Sequence, residues 1–202
     1  MKKLITLLLT GLLVLAVPFT VGAEKEKYKA DDYNFSKIKN VTITDITMGT
    51  SNIANLRTDS PASQQDTVLN VVTDALRDRH LNVGSTRALK PQLKINIIIN
   101  SLGSYLEHKA AYDTTETVDK KEVGKDENGN DIVVTVPTQE TVHHPAEDIS
   151  HAVANIRFVV TDVRSGKQVY TVTDNRERSS EDDPSGMLHR ICKDFAKDIT
   201  RD

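Results

Sequence analysis

Residues 152–176, AVANIRFVVTDVRSGKQVYTVTDNR, constrain the fold more than any other stretch of the chain. Ala154, Ile156, Phe158 and Val160 alternate with Asn155, Arg157, Val159 and Thr161. That period of two marks a strand with one buried face and one wetter face. After residue 168, Tyr170 and Val172 share one side while Val169, Thr171 and Thr173 share the other. Arg164-Ser165-Gly166-Lys167 joins the two runs. Gly166 can take a positive φ at no steric cost, as a short hairpin loop or bulge requires. The stretch therefore reads as a β-hairpin whose apolar face needs a partner layer.

Residues 1–23 carry a basic start (Met1-Lys2-Lys3), an apolar run over residues 4–17, Pro18, and then Val21-Gly22-Ala23. This is the pattern of a secretory signal peptide, with cleavage expected after Ala23. No cysteine sits near the cleavage point, so a lipid-anchored N-terminus is not expected. The processed chain is expected to be extracytoplasmic, in the periplasm or secreted, without stable membrane insertion. It would hold 24 basic and 29 acidic residues, a net charge of −5 against −3 for the whole sequence. That balance argues against a nucleic-acid binder, which needs a basic surface. Cys192 is the single cysteine, which rules out an intrachain disulfide. With no tryptophan, the core has to be built mainly from Val, Ile and Leu.

The charged residues 24–34 read as a flexible lead-in, and residues 35–202 as one domain with a hairpin inserted at about 105–144. A first strand is expected within residues 35–46. Ser60-Pro61 starts a helix, with Ser60 as cap and Pro61 in the first helical position. Val68, Leu69, Val72, Ala75 and Leu76 then form an apolar stripe down to His80, while Gln64, Gln65 and Asp66 lie on a solvated face. Residues 93–102, LKINIIINSL, are rich enough in isoleucine to be a central strand. In the inserted segment, strands near 111–118 and 132–142 flank a charged tip at 120–131, where Asn128-Gly129 signals a turn. Lys125 and Gly129 should be exposed and easily cleaved. Residues 176–183 read as a charged, solvated linker. Asp183 as cap and Pro184 as first residue then open a second helix with Met187, Leu188, Ile191, Cys192, Phe195 and Ile199 on one stripe. The expected fold class is α+β: a mostly antiparallel sheet, two amphipathic helices on one face, and an extended β-hairpin.

Candidate chemistry is sparse. His143, His144 and His151, with Glu147 and Asp148 between them, could supply a zinc or copper site, but their spacing fits no compact metal motif. Residues 126–131 resemble the start of a calcium loop, yet the glycine falls one place early and Pro137 stands where a bidentate Glu is needed. Cys192 and His189 stand three apart, but the cysteine lies in the apolar stripe, where it acts as a small hydrophobe. No nucleophile elbow, phosphate loop or dinucleotide fingerprint occurs. The residues assign no catalytic, cofactor-binding or metal site, and the protein is expected not to be an enzyme.

Several segments resemble small exported bacterial envelope domains. They are Phe35-Ser36-Lys37-Ile38, the helix end at residues 76–83, the strand at 93–99, residues 160–170 (VTDVRSGKQVY) and the closing helix. These domains, often lipoproteins, are similar in shape to the periplasmic domain of the curli-secretion channel and the N-terminal domain of the Tol-system β-propeller protein. The resemblance implies a scaffold without catalytic residues; this chain differs in lacking a lipidation cysteine and a transmembrane hairpin. The expected function is a non-enzymatic envelope module that binds another envelope protein or associates with itself. The alternative is a metal-binding protein or metal-dependent enzyme using His143, His144 and His151. A small-ligand pocket between sheet and helices would leave no separate sequence signature.

Overall fold

A computed structural model describes residues 24–84, 90–128 and 130–201. The signal segment at 1–23 and Gly129 lie outside these residues. The described chain runs β1 (Glu24–Lys29), β2 (Asn40–Met48), α1 (Pro61–Arg77), β3 (Asn82–Val83), β4 (Leu93–Lys109), β5 (Tyr112–Lys125), β6 (Asp131–His144), β7 (Glu147–Asp162), β8 (Gln168–Ser179) and α2 (Ser185–Asp198). It is an α+β protein. Six strands form one sheet in the order β1-β8-β7-β4-β2-β3, and β5 pairs with β6 in a separate two-stranded sheet.

The hairpin at 152–176 lies in β7 and β8. Gly166 has φ of 69°, and its N–H donates to Asp162 O at 2.9 Å. Ala154, Ile156, Phe158 and Val160 are fully buried. Val169 is buried too, against expectation. Val160 pairs with Tyr170 and Thr161 with Gln168, so Val169 sits in a bulge that turns it off the wet face. β4 is central, between β7 and β2, with Leu93, Ile95, Ile97 and Ile99 at 0% exposure.

β1/β8, β8/β7 and β7/β4 are antiparallel, whereas β2 runs parallel to both β4 and β3. The cause is α1. A strand that continues through a helix returns to the sheet edge in its original direction. Ser60 Oγ accepts from Ser63 N at 3.3 Å, as a cap, with Pro61 first in the helix. The helix ends at Arg77 rather than His80. His80 takes φ of 62°, its N–H donates to Arg77 O at 2.8 Å, and Leu81 N donates to Leu76 O at 3.2 Å. These are the two bonds of a Schellman stop, and they bury Leu81 beside the last turn. Val68, Val72, Ala75 and Leu76 enter the core with Met187, Leu188, Ile191, Cys192 and Phe195 of α2. Leu69 stays 39% exposed. Phe158 of β7 stacks on Phe195 at 4.0 Å between ring centroids.

Several expectations need correction. Residues 24–29 are not a flexible lead-in but the edge strand β1, paired with β8 from Glu24↔Asn175 to Lys29↔Tyr170. Phe35 does not open a strand; it starts a 3-10 turn (Phe35–Lys37) and is fully buried. The charged tip is shorter than residues 120–131, because β5 and β6 pair as far as Lys125↔Asp131. Residues 176–179 belong to β8 rather than to a linker. Helix α2 begins at Ser185 with Pro184 in the cap position, and Asp183 stands just outside. Its carboxylate still accepts from the Ser185 N–H, at 2.9 Å.

Candidate functional site

Between Tyr105 and His151 the chain leaves the six-stranded sheet. β4 and β7 keep pairing to Lys109↔Glu147, and beyond that β5 and β6 form a ladder from Tyr112↔His144 to Lys125↔Asp131. Each strand of this arm has 14 residues, about 45 Å at strand rise. Side-chain bonds run between its two strands: Lys120 Nζ–Glu140 Oε1 at 2.5 Å, Thr114 Oγ1–His144 Nε2 at 2.9 Å and His143 Nδ1–Asp113 Oδ1 at 2.6 Å. At the tip, Asp126 Oδ1 accepts from the N–H groups of Asn128 and Asn130 at 2.9 and 2.8 Å, which closes the turn. The Asp126 carboxylate thus organises the backbone here, where a calcium loop would use it as a ligand. Val123 and Val133 pair across the arm at 72% and 67% exposure.

At the root of the arm, His151 is 6% exposed and faces a carboxylate at each ring nitrogen. Nε2 lies 3.0 Å from Glu107 Oε2, and Nδ1 lies 2.8 Å from Glu177 Oε1. Tyr105 stacks on the imidazole at 4.9 Å and donates its hydroxyl to Glu177 Oε1 at 2.6 Å. Burial first, and then that bond, push the Tyr105 hydroxyl up to about 12. These side chains come from β4, β7 and β8, so the cluster fastens three strands where the two-stranded arm departs. Glu177 was hidden in the sequence inside an apparent linker. Its strand alternation, continued from Tyr170 and Val172, was the signal that could have placed it.

The three histidines do not converge. His143 pairs with Asp113, His144 stacks on Tyr112 at 4.5 Å, and His151 belongs to the root cluster. Adjacent strand residues point to opposite faces, which separates His143 from His144. Among the described residues no group of three or more His, Cys, Asp or Glu is placed to hold a metal ion. Cys192 is fully buried, and burial, followed by the Asp174 charge, pushes its thiol far up; His189 is exposed.

A cleft of about 470 Å³ lies elsewhere, where the N-terminal ends of α1 and α2 meet the segment 57–59 and residues 102–104 of β4. Arg57 and Ser104 form a two-bond bridge, N to O at 2.7 Å and N to O at 3.0 Å. Gly103 permits it, since a Cβ there would collide with Arg57 O. Gln64 is not on a solvated face, as its helical position suggested, but is 4% exposed under this segment. Its Nε2 donates to Asp59 O at 2.8 Å while Oε1 has no hydrogen-bond partner among the described residues. An open acceptor of this kind costs about 1–3 kcal/mol.

No protein-family model matches the chain, and no curated protein sequence matches it. Solved structures do. The PelC dodecamer from Paraburkholderia phytofirmans, in crystals of space group P6, superposes with a TM-score of 0.50 at 9% identity, covering 90% of this chain and 99% of that one. A substituted PelC dodecamer from the same organism gives 0.51 at 10% identity, covering 90% and 100%. A PDZ domain protein from Parabacteroides distasonis gives 0.37 at 10% identity, over 85% of this chain and 34% of that one, too loose a fit to carry an argument. At these identities the likeness to PelC is one of fold. Among the described residues no helix is long and apolar enough to cross a membrane.

Proposed function

We propose that this protein is a non-enzymatic, extracytoplasmic envelope module that assembles with itself through its arm. The observation that carries the reading is the arm itself: a long two-stranded ladder whose two outer edges pair with no other strand among the described residues. An isolated hairpin is marginally stable in water, and open edges invite pairing with another chain. Residues 110–146 hold eight acids and three bases, a net charge of −5 that equals the net charge of all residues 24–202. The body is neutral by comparison.

Two such arms repel one another, which disfavours arm-on-arm pairing. The sheet surface opposite the helices offers a better dock, because Lys94 and Arg157 are exposed there. Arm-on-body contact is heterologous, and heterologous contacts close into rings when the rotation permits. The PelC structures that share this fold are described as dodecamers, which supports self-association. The signal-peptide pattern supports export, and the sequence resemblance to small exported envelope domains agrees with it.

The test is light scattering on the mature protein beside a variant whose residues 110–146 are replaced by an Asn-Gly turn. Lys109 and Glu147 are already paired, so a two-residue loop closes the ladder. The parent should run as an oligomer and the variant as a folded monomer. An unchanged number of subunits after deletion would sink the reading.

A further inference from the structure

The two faces of the arm differ. Its ladder, from Tyr112↔His144 to Lys125↔Asp131, sets even-numbered residues opposite even-numbered ones, so these share a face. Every half-buried residue of β5 and β6 is even-numbered, whereas the odd-numbered face is exposed throughout. Tyr112, Val118, Ile132, Val134, Val136 and Val142 lie on the even face. An antiparallel pair patterned in this way has an apolar side to cover, and among the described residues no other element packs along it. The even face also carries an unanswered charge. Glu116 stands directly across the ladder from Glu140, a like-charged pair that is unfavourable. Lys120 answers Glu140 at 2.5 Å, and Glu116 is left without an ion pair among the described residues.

The sheet surface opposite the helices offers the complement. Arg157 is exposed there and, like Lys94, has no ion pair among the described residues. By register it stands between Ile98 of β4 and Thr173 of β8, with Val159 next along the same face. A groove of about 310 Å³ runs beside it, lined by Glu26, Lys27, Tyr28, Thr171 and Thr173. Tyr28 is 50% exposed, and Ile98 and Val159 are half-buried. An apolar face with an unanswered carboxylate thus matches a partly apolar surface with an unanswered cation. We infer that the even-numbered face of one copy's arm packs on this surface of a second copy, with Glu116 paired to that copy's Arg157. The odd-numbered face stays in water. A second arm is a poorer occupant, because two even faces would set carboxylates against carboxylates. This inference rests on the assembly reading and adds to it which faces meet.

The experiment is light scattering over a dilution series, on the mature protein, the arm-deleted protein and a set of surface variants. Arg157→Glu and Glu116→Arg should each weaken assembly by about tenfold or more. The two together should restore most of it, because the charge pair is rebuilt in reverse. Val134→Asp should disrupt assembly, while Val133→Asp, which adds the same charge to the opposite face of the arm, should leave it unchanged. All four positions are exposed, so the variants should fold, and circular dichroism melts matching the parent check that they do. Assembly that needs the arm but ignores Arg157→Glu would overturn this docking and leave the assembly reading standing. So would equal loss in Val133→Asp and Val134→Asp, or a double exchange that restores nothing. An arm-deleted protein that still assembles, or a parent that is a monomer at every concentration, would bring down the assembly reading and this inference with it.

Discussion

Tyr105 has an environment that its sequence neighbours do not suggest. It stands where β4 stops facing the core, yet its hydroxyl is held at 2.6 Å by Glu177 and its ring covers His151. Burial and the Glu177 carboxylate favour the neutral phenol, raising its pKa from 10.0 to about 12. A group whose folded value is raised contributes stability that is complete below pH 10.0 and is lost as the pH climbs towards 12. Tyr105→Phe should therefore remove one phenolate step near pH 12 from the absorbance titration and flatten the alkaline stability profile over that range. Loss of a step near pH 10 instead would mean the hydroxyl is free in solution. Gln64 teaches a related lesson. Its helical position places it among polar neighbours, and only the overlying segment at 57–59 turns it inward.

Among the elements, β1 shows how a charged run becomes structure. Lys25 and Lys27 reach Asp198 Oδ2 at 3.4 and 3.0 Å, and Lys29 Nζ donates to the Asp198 carbonyl at 3.2 Å. Tyr170, fully buried, donates its hydroxyl to the same carboxylate at 2.9 Å. One side chain at the end of α2 thus clasps an edge strand to the core. Burial alone would raise the Asp198 pKa, but the Lys27 and Tyr170 bonds outweigh it and hold the carboxyl below its usual 3.8. The sign follows: the clasp is intact above the usual value and is lost as the pH falls through the lower folded one. Asp198→Ala should cost about 1–3 kcal/mol in urea unfolding, because it strands the buried Tyr170 hydroxyl. Asp198→Asn keeps an acceptor, so it should cost less while erasing the acid-side dependence of β1 protection in hydrogen exchange.

At the scale of the molecule, the division is between a closed body and an open arm. The body buries Phe158 against Phe195 and lines one layer with isoleucine. The arm exposes Val123, Val133, Ile132 and Val134 and holds itself by cross-strand pairs. Stability should be equally uneven, since segments with few buried contacts open at low free energy. Brief trypsin treatment of the unassembled protein is expected to cut first after Lys120, Lys121 or Lys125, leaving a body that still unfolds in one cooperative step. First cleavage within β7 or β8 would contradict that order.

The hairpin at 152–176, the isoleucine strand and both apolar helix stripes were legible because each is a local period, set by which side chains lie two or 3.6 residues apart. The Ser60-Pro61 start was legible for the same reason, since a cap acts within one turn. Pairing partners were not. The parallel placement of β2 depends on where α1 returns the chain, and β1 is a strand only because Asp198 and the edge of β8 await its lysines. His151, Glu107 and Glu177 meet from three strands far apart in sequence, and the open acceptor of Gln64 exists only beneath a loop bridged to β4. Sequence periodicity determined which faces are apolar; long-range packing decided which polar groups share a space, because that depends on register and layer contacts that no short window of residues contains.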